Sequence, residues 1–295
     1  MNELLIATAL DGFVRIYCLN STNLVETTRL QHDLWPTSAA TLGRVESITA
    51  ILAATLKGKD EKIITQINGG GPIGTVLVEA KGNGDVKGFV GDNQIYLKYN
   101  DSNKLAVGLA VGTDGYLSVT KDIGLKENFT GKVNIQTGEI GDDFSYYFSV
   151  SEQTPSVVSV GVLVDVDYSI KAAGGLLIQL MPGYDESVIE KVEDVVKTMK
   201  PISTLVESGM TNEEIILSLF IDAKILEKRN VKWHCDCSED RFKAALTTLP
   251  INDLKEMIEE DKKAEIKCEF CNKTYVFNEE QLKSILEFKS SVSNW

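Results

Sequence analysis

Four of the chain's five cysteines fall in its last 65 residues, as Cys235-Asp236-Cys237 and, after 30 intervening residues, Cys268-Glu269-Phe270-Cys271. Thiolates are strong ligands for zinc, and two pairs on tight turns supply four sulfurs at about 2.3 Å in a tetrahedron. The second pair has the knuckle spacing common in such sites; the first, C-x-C, is tighter. Four thiolates around Zn2+ leave a net charge of about −2, and Lys232, Arg241, Lys267 and Lys273 lie within a few residues to offset it. The spacing predicts one Zn2+ per chain on Cys235, Cys237, Cys268 and Cys271. His234 is an alternative ligand, but its neighbour Cys235 competes for the same position. Cys18 lies far away in an alternating segment and reads as a small buried hydrophobe. On the residues alone the centre has two readings, permanently closed or oxidisable.

Other constellations are poorer. Gly69-Gly70-Gly71-Pro72-Ile73-Gly74 fits G-x-G-x-x-G in form. However, Thr75-Val76-Leu77-Val78-Glu79 continues as a strand where a dinucleotide site needs a helix N-terminus, so a tight turn is expected. No Lys-Ser or Lys-Thr follows at phosphate-loop spacing, and nothing supports use of ATP. His32 and His234 are the only histidines, and neither stands in a nucleophile motif, so no enzyme active site is expected.

Thirty Lys and Arg against 43 Asp and Glu give a net charge of −13 and a pI near 4.8. Such a chain repels phosphate backbones and anionic lipid, which argues against nucleic-acid or membrane partners. No apolar run approaches the ~20 residues of a membrane helix. Met1-Asn2-Glu3-Leu4-Leu5-Ile6-Ala7 lacks the basic start of a secretory signal and reads as a first strand, so a cytoplasmic location is expected. That compartment is reducing and favours thiolates over permanent disulfides.

The elements that must carry these cysteines divide by period into three zones. Residues 1–183 are Gly-rich and mostly alternating, with strands expected over 13–18, 62–67 and 158–168 and helices over 38–57 and 142–153. Strands interrupted by a few helices make this an α+β domain. Residues 184–230 form an amphipathic helical linker or subdomain. Val188, Ile189, Val192, Val195, Val196 and Met199 share a face, Pro201 restarts the chain, Gly209 ends a short helix, and Thr211-Asn212-Glu213-Glu214 is a capping box. Residues 231–295 form a small zinc-binding domain. Ser238 caps a helix that Pro250 stops, 252–260 form another, a hairpin carries Cys268 and Cys271, and Asn278-Glu279-Glu280-Gln281 caps a closing helix.

With those zones in place the chain resembles a known family, the bacterial redox-regulated 33-kDa heat-shock chaperones. The likeness rests on Cys235-Asp-Cys237-Ser238-Glu-Asp-Arg241 and Cys268-Glu-Phe-Cys271. It extends to Thr41-Leu42-Gly43-Arg44, Gly70-Gly71-Pro72-Ile73-Gly74, Ser151-Glu152-Gln153, Gly174-Gly175-Leu-Leu-Ile-Gln179 and Pro182-Gly183. The resemblance implies a holdase that works without ATP on unfolding client proteins and is off when reduced and zinc-bound. It implies that oxidation pairs Cys235 with Cys237 and Cys268 with Cys271, expels the metal and yields a homodimer. The helical zone would then belong to the client-binding machinery.

Elementary energetics agree with a switch. Structural zinc contributes about 10–16 kcal/mol in small fingers, against net stabilities of about 5–15 kcal/mol for whole domains. Losing it should unfold the 65-residue zone and uncover the apolar stripe of the helical one. Two other classes compete: a zinc-ribbon module for nucleic acid, and a thiol oxidoreductase using Cys268-Glu-Phe-Cys271. The first needs a basic face, yet residues 231–295 hold ten basic against thirteen acidic residues. The second wants its cysteine at a helix N-terminus, whereas this pair sits in an apparent hairpin.

Overall fold

A computed structural model describes residues 2–102 and 104–292, which fall into two compact units, Met1–His234 and Cys235–Trp295. The first unit runs β1 (Asn2–Ala9), β2 (Val14–Asn20), α1 (Thr22–His32), α2 (Pro36–Ala53), β3 (Lys62–Asn68), β4 (Val76–Lys81) and β5 (Asp85–Val90). It continues through α3 (Val107–Val111), β6 (Tyr116–Asp122), β7 (Phe129–Asn134), α4 (Ile140–Val150), β8 (Ser156–Val164) and β9 (Ile170–Leu180). Three short helices, α5 (Glu186–Thr198), α6 (Ile202–Glu207) and α7 (Asn212–Leu219), precede β10 (Lys224–Trp233). The ten strands make one sheet in the order β7-β6-β3-β4-β5-β10-β1-β2-β9-β8, antiparallel except where β10 runs parallel to β5. The fold is α+β, as expected.

Alternation along β2 shows how the sheet sorts its faces. Val14, Ile16 and Cys18 pack with Val188, Val192, Ile202, Val206, Ile215, Ile216 and Phe220 of the three short helices and the residue that ends them. Tyr17 and Leu19 belong to the larger core on the other face, with α1, α2 and α4. Every α2 residue except Arg44 is buried, so it is an all-round core helix rather than the one-faced helix expected over 38–57. Its polar residues bond internally. Ser21 and Ser47 share a hydrogen bond of 2.7 Å, and Thr49 donates to Thr65 at 2.9 Å. The Thr28 hydroxyl donates to Glu46 Oε1 at 2.7 Å, while Glu46 Oε2 has no partner. Burial pushes the Glu46 carboxyl up to about 8, against the opposing pull of that hydroxyl.

The glycine motif forms a turn, as expected. A side chain at Gly71 would lie 2.3 Å from the Ala110 carbonyl oxygen, because Gly71 and Ile73 donate to the Val111 and Ala110 carbonyls at 2.9 and 3.1 Å. The glycines admit another stretch of backbone, not a nucleotide.

Two boundaries differ from the sequence reading. The strand expected over 158–168 ends at Val164, because Asp167 Oδ1 accepts from the Ser169 N–H and hydroxyl at 3.0 and 2.6 Å and turns the chain into β9. Polar side chains that bond to nearby backbone compete with a ladder. The helical zone expected to reach 230 ends earlier, since β10 begins at Lys224 and takes a central place in the sheet. Its sequence, Lys-Ile-Leu-Glu-Lys-Arg-Asn-Val-Lys-Trp, has little alternation. Pairing with β1 and β5, not propensity, makes it a strand.

The second unit contains α8 (Glu239–Leu246), α9 (Ile251–Glu256) running into a π-turn (Met257–Asp261), the hairpin β11 (Lys263–Lys267) and β12 (Thr274–Asn278), and α10 (Glu279–Val292). Its core has seven buried residues, Leu246, Leu254, Ile258, Tyr275, Phe277, Leu282 and Ile285. The expected caps form. Ser238 Oγ accepts from the Arg241 N–H at 3.2 Å, and the Asn278 and Gln281 side chains each accept the other's backbone N–H at 3.0 Å. Among the described residues no helix is long and apolar enough to cross a membrane.

Candidate metal centre

Each cysteine pair sits where local chain chemistry tightens the backbone. Cys235 and Cys237 immediately precede Ser238, the N-cap of α8. Cys268 and Cys271 occupy the turn between β11 and β12. There the Cys268 N–H donates to the Lys273 carbonyl at 2.9 Å, and the Cys271 and Asn272 N–H groups return to the Cys268 carbonyl at 3.3 and 2.8 Å. Asn272 takes a left-handed φ of 59°, a conformation Asn tolerates better than most residues. This turn brings the two halves of the motif face to face.

All four sulfurs lie within 4.8 Å of one another. Cys235 and Cys268 Sγ are 3.7 Å apart, and Cys237 and Cys271 Sγ are 3.3 Å apart. Sulfurs bound tetrahedrally at ~2.3 Å from one ion stand ~3.8 Å apart, so the four fit a single metal of zinc's size. The predicted quartet is thus brought together entire. His234 is not part of it; its side chain is exposed and its backbone N–H donates to the Val86 carbonyl at 2.9 Å. Cys268 is buried and the other three are half-buried, which leaves sulfur within reach of small reagents.

Without metal Cys235, Cys237 and Cys271 are inequivalent. Burial pushes Cys235 up, against the Cys237 backbone N–H that pulls it down. Burial also raises Cys271, to about 11. At Cys237 burial acts the same way, but hydrogen bonds from Tyr275 and the neighbouring thiols outweigh it and bring this sulfur down to about 7. Cys237 is therefore a readier thiolate than Cys235 or Cys271. Tyr275 is a participant that the sequence reading placed only in a strand. Its hydroxyl lies 3.2 Å from Cys237 Sγ and donates to the Cys237 carbonyl at 3.0 Å, and its ring packs on Phe242 with centroids 4.9 Å apart. Strand alternation puts Tyr275 on the buried side, which is the only signal the sequence carried.

The expected cations divide. Arg241 pairs with Asp236, between the first two cysteines, at 3.0 Å, and Lys273 Nζ sits 4.8 Å above the Tyr275 ring. Lys232 is engaged elsewhere, 3.4 Å from Asp85. Cys18 is fully buried in the sheet, its Sγ 3.6 Å from Asn212 Oδ1, and burial raises its thiol strongly. It is a core residue, as expected.

A sequence model described as Hsp33 protein matches residues 2–278. The chain belongs to the Hsp33 family. It is 46% identical over 288 residues to the 33 kDa chaperonin of Bacillus pumilus (strain SAFR-032), covering 97% of this chain and 99% of that protein. Against the 33 kDa chaperonin of Bacillus subtilis (strain 168), identity is 46% over 286 residues, covering 97% and 98%. The crystal structure of the 33 kDa chaperonin (heat shock protein 33 homolog) from Thermotoga maritima superposes with a TM-score of 0.89 at 33% identity, over 98% of this chain and 99% of that one. Hsp33 proteins carry the names of chaperonins, not of enzymes, and this chain is a chaperone of that family with a four-cysteine centre able to hold a metal ion.

Proposed function

We propose that this chaperone is an ATP-independent holdase switched by oxidation of Cys235, Cys237, Cys268 and Cys271, which hold one Zn2+ in the reduced, inactive protein. The observation that carries the proposal is the convergence of four sulfurs, three of them on half-buried residues, in a unit whose core among the described residues is seven buried side chains. Bound there, zinc would keep the sulfurs as thiolates and cross-link the start of α8 to the β11–β12 turn. A peroxide or other two-electron oxidant converts one thiolate to a sulfenic acid. The neighbouring thiolate attacks that sulfur, hydroxide leaves, and a disulfide forms. Cys235 with Cys237 and Cys268 with Cys271 are the proposed pairs, since each resolving sulfur is one or two residues away. Disulfide formation withdraws the ligands the ion needs, and residues 235–295 unfold.

The proposed division of labour follows the zones 1–183, 184–230 and 231–295, with the helical zone as the client-holding element. In the folded protein Val188, Val192, Ile202, Val206, Ile215, Ile216 and Phe220 are buried against the sheet. Each such side chain contributes about 1.5–3 kcal/mol when buried, so the stripe is docked on the sheet in the reduced state, and the active state requires that it leave the sheet once residues 235–295 have unfolded. Clients are unfolding proteins exposing apolar segments, and the oxidised protein acts as a homodimer in the cytoplasm. Nucleic acid, membrane and ATP are not partners in this reading. The acidic balance of the zinc region and the placing of Cys268 and Cys271 in a hairpin turn speak against the nucleic-acid and oxidoreductase readings.

Zinc content and suppression of client aggregation, both measured before and after peroxide treatment at elevated temperature, test the proposal. The expected result is one zinc lost, two disulfides gained by mass spectrometry at the stated pairs, and aggregation suppressed only afterwards. Zinc loss without gain of holding activity, or equal activity in both states, overturns it.

A further inference from the structure

Several motifs that the metal centre leaves unused meet at one place in the first unit. Ser151-Glu152-Gln153 follows α4, Gln179 and Pro182 end β9, and Arg15 lies across the ladder from Gln179. Of these, Arg15, Glu152, Gln153, Gln179 and Pro182 line, with Leu52, Lys121, Phe148 and Met181, a cleft of about 530 Å3, within the ~300–1,000 Å3 range of sites for small ligands.

The charges in this cleft do not cancel. Lys121 Nζ lies 2.9–3.0 Å from both Glu152 oxygens, and Glu152 Oε1 also accepts from the Tyr147 hydroxyl at 2.6 Å. That carboxylate and that ammonium neutralise each other. Arg15 has no such counterpart: it makes no ion pair among the described residues, and its buried Nε has no hydrogen-bond partner. A buried polar atom left unpaired costs about 1–3 kcal/mol, more for a charged group, so an unmatched guanidinium in a part-apolar cleft calls for an acceptor. Gln179 already donates to Ser156 Oγ at 3.2 Å, which leaves its carbonyl oxygen as a further polar handle. Gln153, beside it, is held at a left-handed φ of 50°, an uncommon conformation for a residue with a long side chain.

We propose that this cleft is a binding site for a single carboxylate carried on a small apolar body, with Arg15 as the anchoring cation. One unpaired guanidinium matches one carboxylate in bidentate fashion, and Leu52, Phe148 and Met181 supply the apolar walls. The same chemistry is presented by a free organic acid and by the C-terminal residue of a polypeptide. The cleft is built wholly from residues 15–184, so the proposal stands apart from the cysteine switch.

The test uses the reduced full-length protein, with N-acetyl-L-phenylalanine, its uncharged amide, and a short acetylated peptide ending in Leu-Phe as either acid or amide. Calorimetry gives the affinities, and amide chemical shifts map the sites. The acid is expected to bind at millimolar concentration or below and to shift Tyr17, Gln153 and Met181, with the amide weaker by at least about tenfold. Arg15→Met should lose a similar factor without lowering the melting temperature, and Thr55→Trp, which fills the cleft from its rim, should abolish binding without altering charge. Binding of the peptide acid as well identifies a C-terminus as an acceptable source; binding of the small acid alone restricts the site to free acids. No saturable binding, equal binding of acid and amide, shifts confined to other surfaces, or undiminished binding by Thr55→Trp would each overturn the proposal. The last of these keeps the test decisive should Arg15→Met fold poorly.

Discussion

Phe144, Tyr147 and Phe148 pack edge to tilted in the first unit, within a core that continues through α2 and most of the sheet. In the second unit Phe277 has six buried companions. Burial stabilises in proportion to area, and a unit of about 60 residues buries only about 60% of the surface its unfolded chain exposes. One unit thus has area in surplus, while the other has four sulfurs in place of it. On the proposed reading, an event at sulfur reaches the fold of residues 235–295 before it reaches the sheet of residues 1–234.

The largest expected effect breaks that contrast directly. Cys271→Ser should lose the metal, worth about 10–16 kcal/mol in small zinc units, and unfold residues 235–295 under reducing conditions while β1–β10 stay protected from hydrogen exchange. Native-like protection throughout would mean that the small core suffices. Equal truncations sharpen the contrast. Phe277→Ala and Phe144→Ala each remove a fully buried ring and should cost about 3–5 kcal/mol. The loss at Phe144 should lower the melting temperature of a unit that stays folded, whereas Phe277→Ala should weaken metal binding, because folding and metal binding are coupled in the small unit.

A further variant acts on the large unit through pH. Glu46 is held near 8 when folded against an ordinary value of 4.5, so the folded state binds the proton more tightly. Its stability is complete below about 4.5 and declines as pH rises toward 8. Glu46→Gln should flatten that decline, gaining on the order of 4 kcal/mol at pH 8 and little at pH 4.5 in urea titrations followed at the first unit. A variant no more stable than the parent at pH 8 would show that the carboxyl ionises without penalty. The smallest effect is at Tyr275. Tyr275→Phe deletes a hydrogen bond worth about 1 kcal/mol beside Cys237, and should weaken metal retention by roughly fivefold against a competing chelator. Unchanged retention would show that the hydroxyl contributes nothing to holding Cys237.

Much of the small unit was legible because its signals are local. The Cys-x-Cys and Cys-x-x-Cys turns, the Ser238 cap and the reciprocal Asn278–Gln281 cap all depend on residues within about four positions of each other, where side chain and backbone meet whatever the rest of the chain does. The Thr211–Glu214 box was read for the same reason. Thr22–His32 was not read as a helix, since no side-chain cap marks Ser21 and its periodic face is weak.

By itself, the sequence determined the four-cysteine quartet, the α+β class, the caps and the absence of a nucleotide loop, each of which follows from residue type at short spacing. Only the tertiary structure decided that β10 enters the middle of the sheet, that α2 is buried on every side, that Tyr275 reaches Cys237, and that Arg15 meets Gln153 and Gln179 in one cleft. These four depend on partners tens to hundreds of residues apart, and a contact of that kind is stabilised by the surfaces that close on it, which no local pattern records.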